Sequence, residues 1–381
     1  MKEITYEELT KLNKDSYVLI DIRDEGLRNY GMIPGAVALD VEGDPEELKA
    51  NLSKLPAEKK LILYCEIGRK SRDVDEDVLL PGRDYYSLEG GYIGYVRANM
   101  TDEKDMAEKH HKAEESIRKK FHKQLFTPFA KACKTYKLIE EGDRIAVCIS
   151  GGKDSMLMAK LFQEIQRHRQ CNFELTFLVM DPGYNEANRE LIESNAKALG
   201  IPVTIFESDI FDAVDTVEKN PCYLCARMRR GYLYSKAKEL GCNKIALGHH
   251  YDDVIETILM GMLHGGQVQT MMPKLHSTNF EGMELIRPLY LVRESDICAW
   301  RDYNDLHFLQ CACHFTDTCT TCHEDGTTSS KRLETKKLIA MLKKGNPFIE
   351  ANIFKSVENV NLATVIAYKK DGVRHHFLDE Y

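Results

Sequence analysis

No apolar run in this chain of 381 residues approaches the roughly 18–20 residues needed to cross a bilayer. The first ten residues, MKEITYEELT, lack the basic start and the apolar stretch of a secretory signal. No membrane partner is therefore expected, and the cytoplasm is the expected location. A basic surplus is missing as well, since 52 Lys and Arg against 60 Asp and Glu leave a net charge of −8. That excludes a protein coated in positive field, so any nucleic-acid binding has to use a local patch. Internal repeats and low-complexity tracts are also absent. What remains is an ordinary globular composition, 43% hydrophobic and 29% charged, long enough for two or three domains.

Cysteine, by contrast, is plentiful at twelve. In a reducing compartment such residues more often ligate metal or do chemistry than form disulfides. Cys222 and Cys225 form a C-x-x-C, while Cys311, Cys313, Cys319 and Cys322 crowd one segment. Cys65 stands alone after an apolar run. Cys133, Cys148, Cys171, Cys242 and Cys298 sit in periodic or apolar contexts and read as buried small hydrophobes.

Short apolar runs alternate with helix-compatible stretches twice over. The first series, with strand-like Tyr17–Asp21 and Leu61–Tyr64, predicts a small parallel α/β domain over residues 1–100. Residues 101–125 contain no Gly or Pro and predict a helical connector. Six cations between Lys109 and Lys123 fit either a solvated helix face or an RNA-backbone contact. From residue 126 a larger domain follows, with strands predicted at Ile145–Ile149, Leu175–Met180, Val203–Phe206 and Ile245–Leu247. Helices are predicted at Met156–Arg167, Glu186–Leu199 and Arg227–Leu240, the last two stopped by Gly200 and Gly241. The fold class is thus α/β, with a parallel sheet covered on both faces and ligands bound at the carboxyl ends of its strands.

Ser150, Gly151, Gly152, Lys153, Asp154 and Ser155 lie where a strand gives way to a helix, at that carboxyl edge. Glycines allow a tight turn that presents N–H groups to phosphate, and the helix start adds its dipole. The loop is shorter than that of ordinary NTPases, which suits loss of pyrophosphate. Asp181 and the stretch His249 to Asp253 fall at the same edge. Asp154, Asp252 and Asp253 offer carboxylates for Mg²⁺ against ATP phosphates, with helix capping as the other use of the Asp pair. SGGKDS matches the motif of the PP-loop ATP-pyrophosphatases, which implies the adenine-nucleotide alpha hydrolase-like fold. LGHHYDDVIET, from Leu247 to Thr257, closely resembles a stretch of the tRNA 2-thiocytidine synthetase family and its lysidine-synthetase-like relatives. Arg287-Pro288-Leu289 resembles a third family element. The resemblance covers roughly residues 120–370. It implies ATP held by residues 150–155, Asp181, Gly248, His249 and Asp253, with Lys153 and Asp154 in the chemistry.

The same resemblance implies a 4Fe-4S cluster on Cys222, Cys225 and one downstream cysteine. Cys313, five residues after Phe308, is the expected third ligand, with Cys311 as runner-up. The spacing Cys311-Ala312-Cys313, then Cys319 and Cys322, departs from the family's second C-x-x-C, so an all-cysteine zinc site stays open. Three ligands would leave one metal position free for sulfur, as in catalytic metal sites.

Cys65 to Ser71, with Asp21-Ile22-Arg23, Ile33-Pro34-Gly35-Ala36 and Leu88-Glu89-Gly90-Gly91, resembles a rhodanese-like domain, although Met32 stands where rhodaneses commonly place His. Inward N–H groups, with Arg69 and Lys70 adjacent, would favour a Cys65 thiolate able to carry a persulfide. Together the two domains imply an ATP-dependent sulfurtransferase acting on a nucleobase carbonyl, a tRNA cytidine by family. Its implied cofactors are ATP, Mg²⁺ and the cluster. A cysteine desulfurase or other persulfide donor is the implied second partner, and a homodimer is compatible with the sequence. The alternative is ATP-dependent thiolation or amidation of a small metabolite, without RNA.

Overall fold

Continuous apolar runs become central strands here, as a sheet covered on both faces requires. The computed structural model describes all residues except 29–30, 42–44, 76–78, 99–102, 170, 185, 209, 211–220, 309–330 and 380. The chain divides into two units, one of Met1–Gly248 with Pro273–Thr320, the other of His249–Met272 with Thr321–Tyr381.

The first unit holds two sheets. The N-terminal one comprises β1 (Lys2–Ile4), β2 (Tyr17–Asp21), β3 (Val37–Ala38), β4 (Lys60–Tyr64) and β5 (Tyr85–Leu88), in the order β1-β5-β4-β2-β3 with parallel pairings. Leu61, Ile62, Leu63 and Tyr64 are all buried, so β4 is covered on both faces, and Cys65 follows its last residue. The second sheet comprises β6 (Arg144–Ile149), β7 (Glu174–Asp181), β8 (Val203–Glu207), β9 (Lys244–Ala246), β10 (Lys274–His276) and β11 (Glu284–Ile286). Its order is β10-β11-β9-β6-β7-β8, and only β10 runs antiparallel. Five of the six residues of β6 are buried, which puts this strand at the core. Gly200 and Gly241, at φ +62° and +74°, follow their helices in the left-handed conformation that glycine adopts without strain.

The helix Glu103–Arg118 is fixed to this core rather than extended from it. Ala113 and Ile117 are buried, and Glu114 accepts from Lys160 Nζ at 2.9 Å and from Arg118 and Arg167. Lys160 also donates to the Leu199 carbonyl at 2.8 Å, and burial pulls its pKa down against the attraction of Glu114. Several cations of the Lys109–Lys123 stretch are engaged locally. Arg118 pairs with Glu164, Lys119 with Glu115, and Lys120 lies 3.7 Å from the Tyr303 ring centroid. A π-helical turn, His122–Phe126, leads into the helix Thr127–Thr135.

In the second unit the helices Tyr251–Gly265, Lys331–Gly345 and Ile349–Ser356 pack together. Tyr251 stacks on Phe354 at 4.6 Å, and its hydroxyl donates to the Glu350 carbonyl. A hairpin of β12 (Ala367–Lys370) and β13 (Val373–His376) follows. Among the described residues no helix is long and apolar enough to cross a membrane.

Candidate active site

The turn after β6 has the shape its residues demand. Gly151 sits at φ +84°, where a side chain would be strained. Gly152 is extended and caps the helix Lys153–Arg167 without a side-chain bond. Ser155 Oγ donates to the Gly152 carbonyl at 2.9 Å and accepts from Ser150 N at 3.1 Å, which locks the turn across its mouth. Lys153 is only 1% exposed, and its Nζ donates to Asp154 Oδ2 at 3.1 Å and Glu294 Oε1 at 3.3 Å. An ammonium held between two carboxylates at a helix start is a cation poised for a polyphosphate that can displace one of them.

Gly248 follows β9, the neighbour of β6, and explains itself by proximity. A Cβ there would stand 3.2 Å from Ser155 N and 3.4 Å from Asp154 C, both backbone. Asp181 ends β7 on the other side of β6, buried, with Oδ1 accepting from Gly183 N at 2.9 Å and Tyr184 N at 2.7 Å. Its second oxygen meets Arg189 Nη1 at 3.4 Å. The structure thus brings residues 150–155, Asp181 and Gly248 to the carboxyl ends of three adjacent strands, with Asp181 shaping the turn after its own strand.

In the second unit His250 and Asp253 cap the helix Tyr251–Gly265 reciprocally. His250 N donates to Asp253 Oδ2 at 2.9 Å, and Asp253 N to His250 Nδ1 at 3.3 Å. Arg332 joins Asp253 to Glu256, bonding Glu256 Oε2 at 2.7 Å. Burial raises the Glu256 pKa, and Arg332 opposes the rise. The capping use of Asp253 is therefore realised. His249 begins this unit.

Cys65 is buried, and its sulfur accepts from Gly68 N at 3.1 Å and Ser71 Oγ at 3.7 Å. Ser71 is held by Ser87 at 2.8 Å, and Arg69 and Lys70 are exposed. Arg23 supports the loop from below. It pairs with buried Asp21 at 2.7 Å and with Glu66 at 2.9 Å, and lies 3.9 Å from the Tyr92 ring centroid. Tyr64 completes the floor by donating to Asp21 at 2.7 Å.

Residues 222 and 225 stand three apart in the first turn of the helix Pro221–Glu239, a spacing that puts both positions on one face. The helix begins six residues before its predicted start and so absorbs the C-x-x-C. The side chains of Cys222 and Cys225, and the whole of Cys311, Cys313, Cys319 and Cys322, lie outside the described residues. Cys133, Cys148 and Cys242 are buried as expected, whereas Cys171 and Cys298 are half-buried. Burial drives the Cys148 thiol up to about 12.

Three residues of these sites escaped the sequence reading: Glu294, Arg332 and Arg23 as a support. The Arg287-Pro288-Leu289 element marked the neighbourhood of Glu294, and the Asp21-Ile22-Arg23 match contained Arg23. Neither named the ionic role: Glu294 lies 141 positions from Lys153 and Glu66 lies 43 from Arg23, although Asp21 is only two residues from Arg23.

A PP-loop domain matches residues 116–313, and a rhodanese-like domain matches residues 5–98. The tRNA-cytidine(32) 2-sulfurtransferase of Nitrosospira multiformis is 34% identical over 247 residues, covering 63% of this chain and 78% of that protein. The protein of the same name from Psychrobacter sp. (strain PRwf-1) is 35% identical over 306 residues, covering 78% of this chain and 77% of that one. Among solved structures, the U34-tRNA thiolase NcsA from Methanococcus maripaludis with its 4Fe-4S cluster is 23% identical. It covers 61% of this chain and 76% of that chain at a TM-score of 0.48.

Proposed function

The chain belongs to the PP-loop family and to the family of the tRNA-cytidine(32) 2-sulfurtransferases, and on that footing we propose that it uses ATP to replace a tRNA nucleobase oxygen with sulfur. The observation that carries this reading is the Ser150–Ser155 turn, with a left-handed Gly151, an extended Gly152 at a helix start, and buried Lys153 between two carboxylates. Such a turn suits a triphosphate cleaved between its α and β phosphorus atoms.

The nucleobase carbonyl oxygen attacks the α-phosphorus. The bond to the bridging oxygen breaks and pyrophosphate departs. Lys153 and the N–H groups of the turn stabilise the charge that develops there. The carbon is now bonded to a good leaving group. A C–S bond forms, the C–O bond breaks, and AMP leaves with the original oxygen. Gly248 keeps the end of β9 against the turn, and Asp181 shapes the loop beside it.

Cys65 is the proposed sulfur carrier. Gly68 N and Ser71 Oγ hold its sulfur in place, and that sulfur takes a sulfane sulfur from a cysteine desulfurase or another persulfide donor, whose own thiol is released. Delivering that sulfur at the oxidation level of a thiocarbonyl takes two electrons from external thiols. Residues 222 and 225 on one helical face fit two thiolate ligands of a 4Fe-4S cluster, and with Cys313 they would hold it. Bound there with three ligands, the cluster would supply an open iron position for sulfur. Asp154, a partly exposed carboxylate on the turn, fits a hard oxygen ligand for Mg²⁺ on the phosphates. Cytoplasmic tRNA is the proposed substrate.

The test is product analysis with ATP labelled at the α and γ positions. AMP and pyrophosphate, released faster in the presence of tRNA, are expected. ADP and orthophosphate would overturn the mechanism. AMP release indifferent to every tRNA fraction would move the substrate to a small metabolite.

A further inference from the structure

The chain as a whole is acidic, yet the hairpin β12–β13 reverses that sign. Between Ala367 and His376 it carries Lys369, Lys370, Arg374, His375 and His376 against one acid, Asp371, which sits in the turn. Asp371 and Gly372 adopt φ +51° and +80°, the two-residue turn that joins strands tightly. The tip is therefore short and its register fixed.

That register makes the charge arrangement specific. Lys369 lies directly opposite Arg374, and Tyr368 opposite His375. Like charges facing each other across a strand pair oppose hairpin formation. Lys369, Lys370 and Arg374 are exposed and form no ion pair among the described residues. Lys369, Arg374 and His376 share one face of the ribbon. The other carries Lys370, the exposed Val373 and the Tyr368–His375 stack, with ring centroids 4.8 Å apart and planes within 15°. A narrow ribbon with cations on both faces and a planar aromatic pair complements a polyanion whose charges are regularly spaced and whose bases offer flat surfaces.

We infer that the β12–β13 hairpin is an RNA-docking element that grips the phosphate backbone of the substrate through Lys369, Lys370 and Arg374. The inference rests on the RNA reading above and deepens it by naming where the second unit meets the nucleic acid. An anion lying across Lys369 and Arg374 would relieve the repulsion built into their register.

The test uses the full-length chain with Lys369→Ala, Lys370→Ala and Arg374→Ala combined, titrated with unfractionated tRNA at several salt concentrations. The expected result is a salt slope of log K smaller by roughly two to three, about one for each cation removed. Affinity at about 0.1 M salt should fall at least ~10-fold. ATP binding without tRNA should not change. Because the substitutions remove like-charge repulsion, the hairpin should fold no worse. The milder Lys369→Gln with Arg374→Gln should lower the slope by roughly two-thirds as much. An unchanged slope in both variants, with wild-type protein still binding tRNA and releasing pyrophosphate in response, sinks the hairpin assignment alone. Wild-type protein that neither binds nor responds to tRNA sinks the RNA reading and the hairpin together. A third arm uses phosphatidylglycerol vesicles. Vesicle binding lost in the triple variant, with tRNA affinity unaltered, would make the ribbon a membrane contact and overturn the proposal.

Discussion

The Tyr92 hydroxyl meets His307 Nδ1 at 3.2 Å, while the Tyr92 backbone N–H donates to the carbonyl of Cys65 at 2.9 Å. One residue thus touches both the Cys65 loop and a histidine 215 positions away in the chain. The ring of Tyr95 packs edge-on against His307 at 5.6 Å, and Asn195 Nδ2 donates to its carbonyl at 2.9 Å.

His307 should make this contact sensitive to acid. Burial lowers its pKa below 6.5, with Lys109 and Arg301 adding to the effect and Asp305 opposing it. A histidine whose folded pKa is depressed contributes stability that is full above its unfolded pKa and is lost as pH falls through the folded one. The contact should therefore hold near neutrality and loosen on acidification below about 6.5. NMR titration of the ring should give a pKa below 6.5, and hydrogen-exchange protection factors at Tyr92 and Ile93, corrected for the intrinsic rate, should fall over the same range. His307→Gln should remove that step. A ring titrating at or above 6.5 contradicts the assignment.

Gly91 is the second pressure point of the Cys65 loop. At φ +56°, a Cβ would lie 2.4 Å from the Cys65 carbonyl oxygen and 2.7 Å from Gly68 N, all backbone that cannot step aside. Gly91→Ala should destabilise the N-terminal sheet by about 1–3 kcal/mol through strain alone. It should also abolish persulfide loading, read as a gain of one sulfur atom by mass spectrometry after incubation with a donor. Gly82 has a similar φ of +79° but open space around it. Gly82→Ala should cost only the backbone term and leave loading intact. Equal loading in both variants would mean that the close approach of Gly91 does not shape the loop.

Glu114 anchors a helix through buried charge. Its pKa is lowered even though burial alone would raise it, because Lys160 and His110 outweigh that penalty. Glu114→Gln leaves Lys160 buried with no carboxylate within bonding distance among the described residues, and should cost about 2–4 kcal/mol. The single tryptophan, Trp300, is buried and donates to the carbonyl of Ala113, so its fluorescence reports on this region. A carboxylate with a depressed folded pKa contributes stability above the unfolded value of 4.5 that is lost as pH falls further. The wild-type midpoint should therefore drop in acid more steeply than that of Glu114→Gln. Parallel acid profiles would refute the pairing.

How much of this was readable in advance follows physical range. Strand β2 was predicted at its observed bounds, and β6 and β7 within one residue at each end, because continuous apolar runs between turn signals report burial on both faces directly. The turn at 150–155 was readable because glycine at a strand–helix junction is a local statement. Lys153 was visible as a cation, but its two carboxylate partners come from the next residue and from one 141 positions on. Gly248 looked like part of a motif, and only packing shows that its missing side chain admits the backbone of Ser155. His307 carried no signal at all, since its contacts depend on two tyrosines of the distant helix Gly91–Ala98. Long-range ion pairs and close approaches leave no periodic trace in a single sequence.

The Lys153 cluster offers the sharpest separation of stability from chemistry. Lys153 is almost wholly buried, whereas Asp154 and Glu294 retain 25% and 19% exposure. Lys153→Met removes the cation between them and should destabilise the first unit by roughly 1–3 kcal/mol, less than a fully buried pair because water still reaches both acids. It should also slow pyrophosphate release at least ~100-fold, the usual loss when one charge-stabilising donor is removed. Adding Glu294→Met eliminates one of the stranded carboxylates. The double variant should recover most of the lost stability and none of the activity. Glu294→Gln alone keeps Lys153 and removes a competitor for it, so ATP should bind ~3–10-fold more tightly, about 1 kcal/mol. Isothermal titration with a non-hydrolysable ATP analogue and thermal unfolding separate the two quantities. Activity restored together with stability in the double variant would show that Lys153 is only structural, and the charge stabilisation assigned to it would have to come from elsewhere in the turn.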